Sequence, residues 1–223
     1  MQEIKYDYNC PNCGKKIKIN AYPLINLQSD KNLYKDLFSL DLFRIECDYC
    51  KHIFMIQYDT IIVDMYKKYI VYLFLSDTKE NFYKNINDVI ENKFKLNMKQ
   101  NEIWNELKHT RLVTSLNELL EKLLIFDYDL DDRIIELIKR GLYQKNRLDE
   151  EIYESIRFNK LEKDSLLFTC FNTKDIKVQP IDIAVDIKYY NIMIDSLGGL
   201  TNIKSENFAL IDKEWAKTQI LKG

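Results

Sequence analysis

Ile4, Tyr6 and Tyr8 alternate with Glu3, Lys5 and Asp7, and Ile17, Ile19 and Ala21 alternate with Lys16, Lys18 and Asn20. A period of two predicts two strands, one on each side of Cys10–Gly14. The same unit recurs: Phe43, Ile45 and Cys47 alternate with Arg44 and Glu46, and an apolar strand follows from Ile53. Between the two units Leu33, Tyr34, Leu37 and Phe38 have helical spacing behind Ser29 or Asp30, either of which is a suitable N-cap. Ile53 to Val63 and Tyr69 to Leu75 then read as two strands joined by a turn around Asp64 to Lys68.

Helical periods dominate the middle of the chain. Phe82, Ile86, Val89, Ile90 and Phe94 predict a helix, Arg111 to Val113 a short strand, and Ser115 to Glu118 a capping box. Leu116, Leu119, Leu120 and Leu123 form the core face of the helix that box opens. Asp131 caps another, carrying Ile134, Ile135, Ile138 and Leu142, and Ile152 and Ile156 repeat the spacing. The last third predicts a hairpin from Leu166 to Val178 and a helix ending at Leu197 with Gly198 as its stop. Phe208 to Ile211 and a short helix around Trp215 follow, and strand and helix compete between Ile181 and Ile187. The fold class is α+β: zinc-ribbon-like hairpins at the N-terminus, residues 1–76, then a mixed, mainly helical extension, residues 77–223, packed against them.

Composition narrows the function classes. The chain has 223 residues, 46% hydrophobic and 30% charged, with 33 Lys+Arg against 35 Asp+Glu. It is therefore globular, and without the basicity of a general nucleic-acid binder. No third of it is a basic arm or an acidic tail, so the charges read as solvated faces of amphipathic elements. No apolar run approaches the roughly 20 residues of a membrane helix, and the first residues lack a secretory apolar core, so a soluble cytoplasmic protein is expected.

The five cysteines, at positions 10, 13, 47, 50 and 170, form two Cys-x-x-Cys pairs and a singleton. Each pair sits between strands, so each hairpin tip presents two thiols, and bringing the tips together makes a four-sulfur cage. That cage suits structural zinc: Cys10, Cys13, Cys47 and Cys50 leave no open position for a reacting water. Iron–sulfur, a redox dithiol and metal-free pairs are the alternatives. Pro11 and Gly14 favour a turn whose N–H groups point at sulfur, whereas Asp48 and Lys51 make the second tip less ideal. His52 reads as a strand residue or support for the cage, and Cys170 as a small buried hydrophobe.

These residues resemble a family, the bacterial and archaeal CpXC proteins, named for paired Cys-Pro-x-Cys motifs. The likeness runs from Tyr8 to Leu75 through both cysteine pairs, with a second stretch at 117–133 and a third at Asp212 to Ala216. Asp48 departs from the second motif's proline. The resemblance implies a zinc-binding domain and leaves the activity open.

Asp127, Asp129, Asp131 and Asp132 invite a calcium site, but the loop pattern fails, with Asp132 and Ile138 where Gly and Glu are needed. A helix N-terminus already gives Asp131 and Asp132 a structural task. Phosphate loops, His-Glu-x-x-His and Gly-x-Ser-x-Gly are absent. The expected function is a non-enzymatic zinc-binding module for another protein, with partner specificity carried by residues 77–223. One alternative is a nucleic-acid-associated zinc ribbon using Lys15, Lys16 and Lys18. The other is an enzyme in which Arg111, Glu118, Asp131, Asp132 and Arg133 converge.

Overall fold

The computed structural model describes residues 2–75, 107–144, 148–196 and 208–220. It is an α+β chain that divides into two compact units, Met1–Leu119 and Leu120–Gly223. The helix expected over Phe82 to Phe94, the sequence-based boundary at 76/77 and the stop at Gly198 lie outside the described residues.

In the first unit, β1 (Gln2–Asn9) and β2 (Lys16–Asn26) form the hairpin predicted around the first cysteine pair. Ile17, Ile19 and Ala21 are buried along one face of β2. Pro23, which has no N–H, falls where the register between the two strands shifts, so no ladder bond is lost. The second pair is framed by β3 (Arg44–Glu46) and β4 (Ile53–Met55), a separate two-stranded sheet.

Residues 53–63 are not one strand, as their apolar run suggested. The chain leaves β4 after Met55 and resumes as β5 (Thr60–Asp64) in a different sheet. The break has a cause: Ile56 N–H turns to the Phe43 carbonyl at 2.8 Å, and Tyr58 donates to the Leu42 carbonyl while its ring packs on Phe43. Thr60 then donates to the Tyr22 carbonyl at 2.5 Å, locking β5 beside β2. The turn to β6 (Tyr69–Leu73) is as predicted, its backbone N–H groups from Tyr66 and Lys67 bonded to the Asp64 carboxylate.

β7 (His109–Val113) pairs parallel with β6 and completes a five-stranded sheet in the order β1-β2-β5-β6-β7. β5 and β6 are covered on both faces, which is why they read as unbroken apolar runs. Helix α1 (Lys31–Phe38) buries Leu33 and Leu37 while Tyr34 is exposed. Asp30 holds the N-cap position but its carboxylate accepts from Asn26 N–H instead of capping.

Helix α2 (Leu116–Asp127) starts at the predicted box: Glu118 N–H donates to Ser115 Oγ, and the Glu118 carboxylate reaches back to Thr114 N–H at 2.8 Å. The unit boundary falls within this helix. In the second unit α3 (Asp132–Gln144) is capped by Asp131, whose carboxylate accepts from Arg133 N–H, and buries Ile134, Ile135, Ile138 and Leu142.

Two expectations for the C-terminal part are corrected. Ile156 lies on a strand, β8 (Ser155–Glu162), not a helix. Leu166 to Val178 is not a hairpin: β9 (Ser165–Phe171) is the centre of a three-stranded sheet, between β8 and β10 (Ile181–Asp186). Phe208 to Ile211 carries one bridge residue. The strand reading of 181–186 wins because every residue pairs with β9, and helix α4 (Ile187–Ser196) begins at once. Helix α5 (Lys213–Ile220) starts where Asp212 caps Trp215 N–H. Among the described residues no helix is long and apolar enough to cross a membrane.

The largest departure concerns charge. The α2 and α3 charges are not all solvated faces: Glu121, Lys122, Asp132, Glu136 and Lys139 are buried. They alternate in sign along one chain of contacts. Lys122 pairs with Asp132 at 3.0 Å and with Glu136 at 3.5 Å, and Lys139 pairs with Glu136 at 2.9 Å and with Glu121 at 2.7 Å. Glu121 also accepts from Phe158 N–H on β8 at 2.6 Å, which joins the helices to the sheet. Burial pulls the Lys139 ammonium down, but Glu121 and Glu136 outweigh it and leave it raised above the ordinary lysine value.

Removing one partner strands its neighbours as unpaired buried charges, so Lys139→Met is expected to lower unfolding free energy by about 3–5 kcal/mol in a urea titration. A loss below about 1 kcal/mol would mean water reaches the cluster. Because the folded-state value is raised, the Lys139 contribution is fully present below the unfolded lysine value of about 10.4 and fades only above it. Urea stability near neutral pH is therefore expected to show no step from this residue.

Candidate metal centre

The two Cys-x-x-Cys turns have the same backbone. In the first, Cys10 N–H donates to the Lys15 carbonyl and Gly14 N–H to the Cys10 carbonyl, each at 2.9 Å. In the second, Cys47 N–H donates to the His52 carbonyl and Lys51 N–H to the Cys47 carbonyl, again at 2.9 Å. Both turns put their fifth residue in the left-handed region, Gly14 at φ 69 and Lys51 at φ 60. Gly14 meets that demand without strain, whereas Lys51 carries a side chain through it.

The identical turns bring four thiols to one place. Their Sγ atoms lie within 4.8 Å of one another, with Cys10 to Cys50 at 3.7 Å and Cys13 to Cys47 at 3.8 Å. Cys10 and Cys47 are buried over Ile17, Ile19 and Ile56, while Cys13 is exposed. The second residue after each outer cysteine, Lys15 or His52, turns its N–H to that sulfur. Asn12 donates from its side-chain amide to Cys50 Sγ at 3.6 Å.

These donors polarise the cluster. The Asn12 amide and the His52 N–H draw the Cys50 thiol down to about 6. The Lys15 N–H lowers Cys13 too, but burial and the surrounding Cys50, Cys10 and Cys47 sulfurs outweigh it and leave that thiol at about 11. The hydrogen-bond donors therefore favour negative charge at Cys50, while the crowding of sulfurs opposes it at Cys13.

All four sequence-predicted residues meet, and the group could hold a metal ion. His52 stands outside it, its ring stacked beside Phe54. Cys170 is on β9 in the second unit, buried, and burial pushes its thiol up to about 11. Asn12 had no role in the sequence reading; its place between Pro11 and Cys13, one residue from a thiol, was the only signal.

The acidic and arginine residues of 111–136 have local partners. Glu118 is tied to Thr114, Arg111 to the Thr110 carbonyl, Asp131 to Arg133, and Asp132 to Lys122. Arg111 and Glu118 belong to the first compact unit and Asp131, Asp132 and Arg133 to the second.

An α+β fold with a four-cysteine cluster at the meeting point of two hairpin tips defines a candidate metal-binding protein. Its family follows from the sequence model of the CpXC proteins, which matches residues 8–139; the chain belongs to the CpXC protein family. The match takes in both cysteine pairs and runs to Lys139 at the end of the buried charge cluster, and Asp212 to Ala216 lies beyond it. No curated protein and no solved structure matches the chain.

The two left-handed positions make a test of the turn geometry. A Cβ at Gly14 meets nothing within 4 Å, so Gly14→Ala isolates backbone strain and is expected to cost about 1 kcal/mol in urea unfolding. Lys51→Gly is expected to raise stability by about 0.5–1 kcal/mol. Effects of the same sign would mean that the two turns are not equivalent.

Proposed function

We propose that Cys10, Cys13, Cys47 and Cys50 bind one structural zinc ion in the manner of a zinc ribbon, in a non-enzymatic protein that docks another protein. The observation carrying the metal reading is the pair of sulfur separations, 3.7 and 3.8 Å, across the two tips. A tetrahedron with metal–sulfur bonds of about 2.3 Å has edges of about 3.8 Å, which these two separations match, and the other sulfur separations stay within 4.8 Å. They are too far apart for disulfides, whose sulfurs are about 2.05 Å apart. Soft thiolates select zinc over calcium and magnesium, and four of them leave no site for a reacting water. Reduced thiols suit the cytoplasm.

The docking reading rests on the closed site and on apolar side chains left in solvent. Ile176, Ile192 and Tyr189 are exposed in the second unit, within the extension expected to carry specificity. The nucleic-acid alternative draws on the lysines beside the first tip. Lys15 stacks over the Tyr49 ring and Lys16 pairs with Asp7 at 2.9 Å, so two of the three are engaged locally.

Elemental analysis of protein purified without chelator is expected to give one zinc per chain, and Cys47→Ser to lose it together with protease resistance of the N-terminal region. Unchanged zinc and unchanged resistance in that variant would overturn the structural reading. For docking, a pull-down from the source cells with the full chain is compared with the Ile176→Lys, Ile192→Lys double variant. Loss of a specific partner is expected, and retention of every partner would move recognition elsewhere on the molecule.

A further inference from the structure

We infer that the outer edge of β1 pairs antiparallel with β1 of a second copy of this chain, about a two-fold axis through Tyr6 and normal to the sheet. Among the described residues β1 ends the five-stranded sheet, and from Lys5 to Asn9 every residue is exposed. An eight-residue edge of this kind is a template for another strand.

Backbone parity restricts the register. Cys10 N–H bonds to the Lys15 carbonyl, and 10↔15 continues the pairing 9↔16 and 8↔17. Hydrogen-bonded pairs alternate along an antiparallel ladder, so Tyr8, Tyr6 and Ile4 direct their N–H and C=O groups to β2. Lys5, Asp7 and Asn9 direct theirs outward. A two-fold pairing must therefore set outward residues against outward residues, which excludes every register that pairs an odd position with an even one.

Charge and overlap select among the rest: centred on Ile4, Glu3 meets the partner's Lys5, but only residues 2–6 overlap and they include the register shift of β1. Centred on Lys5, the pairing sets Lys5 against the partner's Lys5 and Glu3 against the partner's Asp7. Centred on Asp7, it sets two aspartates face to face. Centred on Tyr6, it sets Lys5 against the partner's Asp7 and Asp7 against the partner's Lys5, two opposite-charge pairs in hydrogen-bonded positions; Asp7 pairs with Lys16 within its own chain at 2.9 Å, and its half-exposed carboxylate has acceptor sites for a second ammonium. On the other face Tyr6 meets the partner's Tyr6 and Ile4 meets the partner's Tyr8. Those are the non-hydrogen-bonded positions, where side chains approach most closely.

The apolar face supports the same pairing. Tyr6 and Tyr8 remain exposed beside the buried Ile19 and Ile17 of β2, and the Tyr8 ring stacks on Phe54 at 5.7 Å. A partner strand covers both tyrosines and extends that cluster. An edge that only resists pairing needs one sign of charge or a proline; opposite signs two residues apart on a two-fold are self-complementary. This surface is independent of the Ile176 and Ile192 side chains invoked for docking.

The test is the mass of the full, zinc-supplied chain by sedimentation equilibrium, with metal content measured in the same samples so that loss of zinc and loss of pairing are read separately. Twice 26.8 kDa at high micromolar concentration is expected. Lys5→Asp and Asp7→Lys each create two like-charge pairs and are expected to weaken the dimer at least about tenfold, whereas the double swap restores the opposite pairs and most of the affinity. Lys5→Pro removes an N–H that faces outward, spares the β1–β2 ladder, and is expected to give monomer. A wild-type chain that is monomeric throughout overturns the inference. So does a dimer in which the double swap is no better than the single swaps, or in which Lys5→Pro changes nothing.

Discussion

Everything in the first unit is subordinate to one constraint: two thiol-bearing turns, 33 residues apart in sequence, must close on a single point. Four ionised sulfurs at 3.7–4.8 Å repel one another, and four neutral thiols make only weak hydrogen bonds, so nothing in the sulfurs alone holds the tips together. The apolar cluster beneath them is small, with Ile17, Ile19 and Ile56 as its buried non-cysteine members. A bound cation reverses the sign of the electrostatic problem, and the folding of the tips is then linked to metal affinity.

The constraint also explains an irregularity in the strands. The second hairpin must leave the main sheet to face the first tip and then return its chain to the β5 position. Residues 56–59 make that return, and they do so by diverting Ile56 N–H and the Tyr58 hydroxyl to the Leu42–Phe43 backbone. A run of apolar residues from Ile53 to Val63 carries no trace of this detour. Local alternation reports which residues are buried but not which sheet buries them.

The legible features were those whose physics is local. The cysteine spacing, Gly14, the box at Ser115–Glu118 and the Asp131 cap each depend on atoms within a few residues, and each is found where the sequence placed it. The illegible ones depend on distant partners. Lys122 and Lys139 look like solvent-facing helix charges until Asp132, Glu136 and Glu121 are set against them across two helices. Ile156 fits a helical period by accident, because its neighbours pair with Phe171 and Thr169 on β9.

The two units thus restrain charge in opposite ways. In the first, like groups are gathered at a point that could hold a cation; in the second, unlike groups are gathered and neutralise most of one another. Three carboxylates and two ammonium groups leave the buried cluster one positive charge short of balance. Burial makes such a network costly to assemble and more costly to break, so its value lies in fixing which helix face meets which. Glu121 illustrates the point: the same carboxylate binds the Lys139 ammonium on α3 and the Phe158 N–H on β8. A leucine at that position packs against either element but specifies neither, whereas the charged group admits one arrangement in which both donors are met.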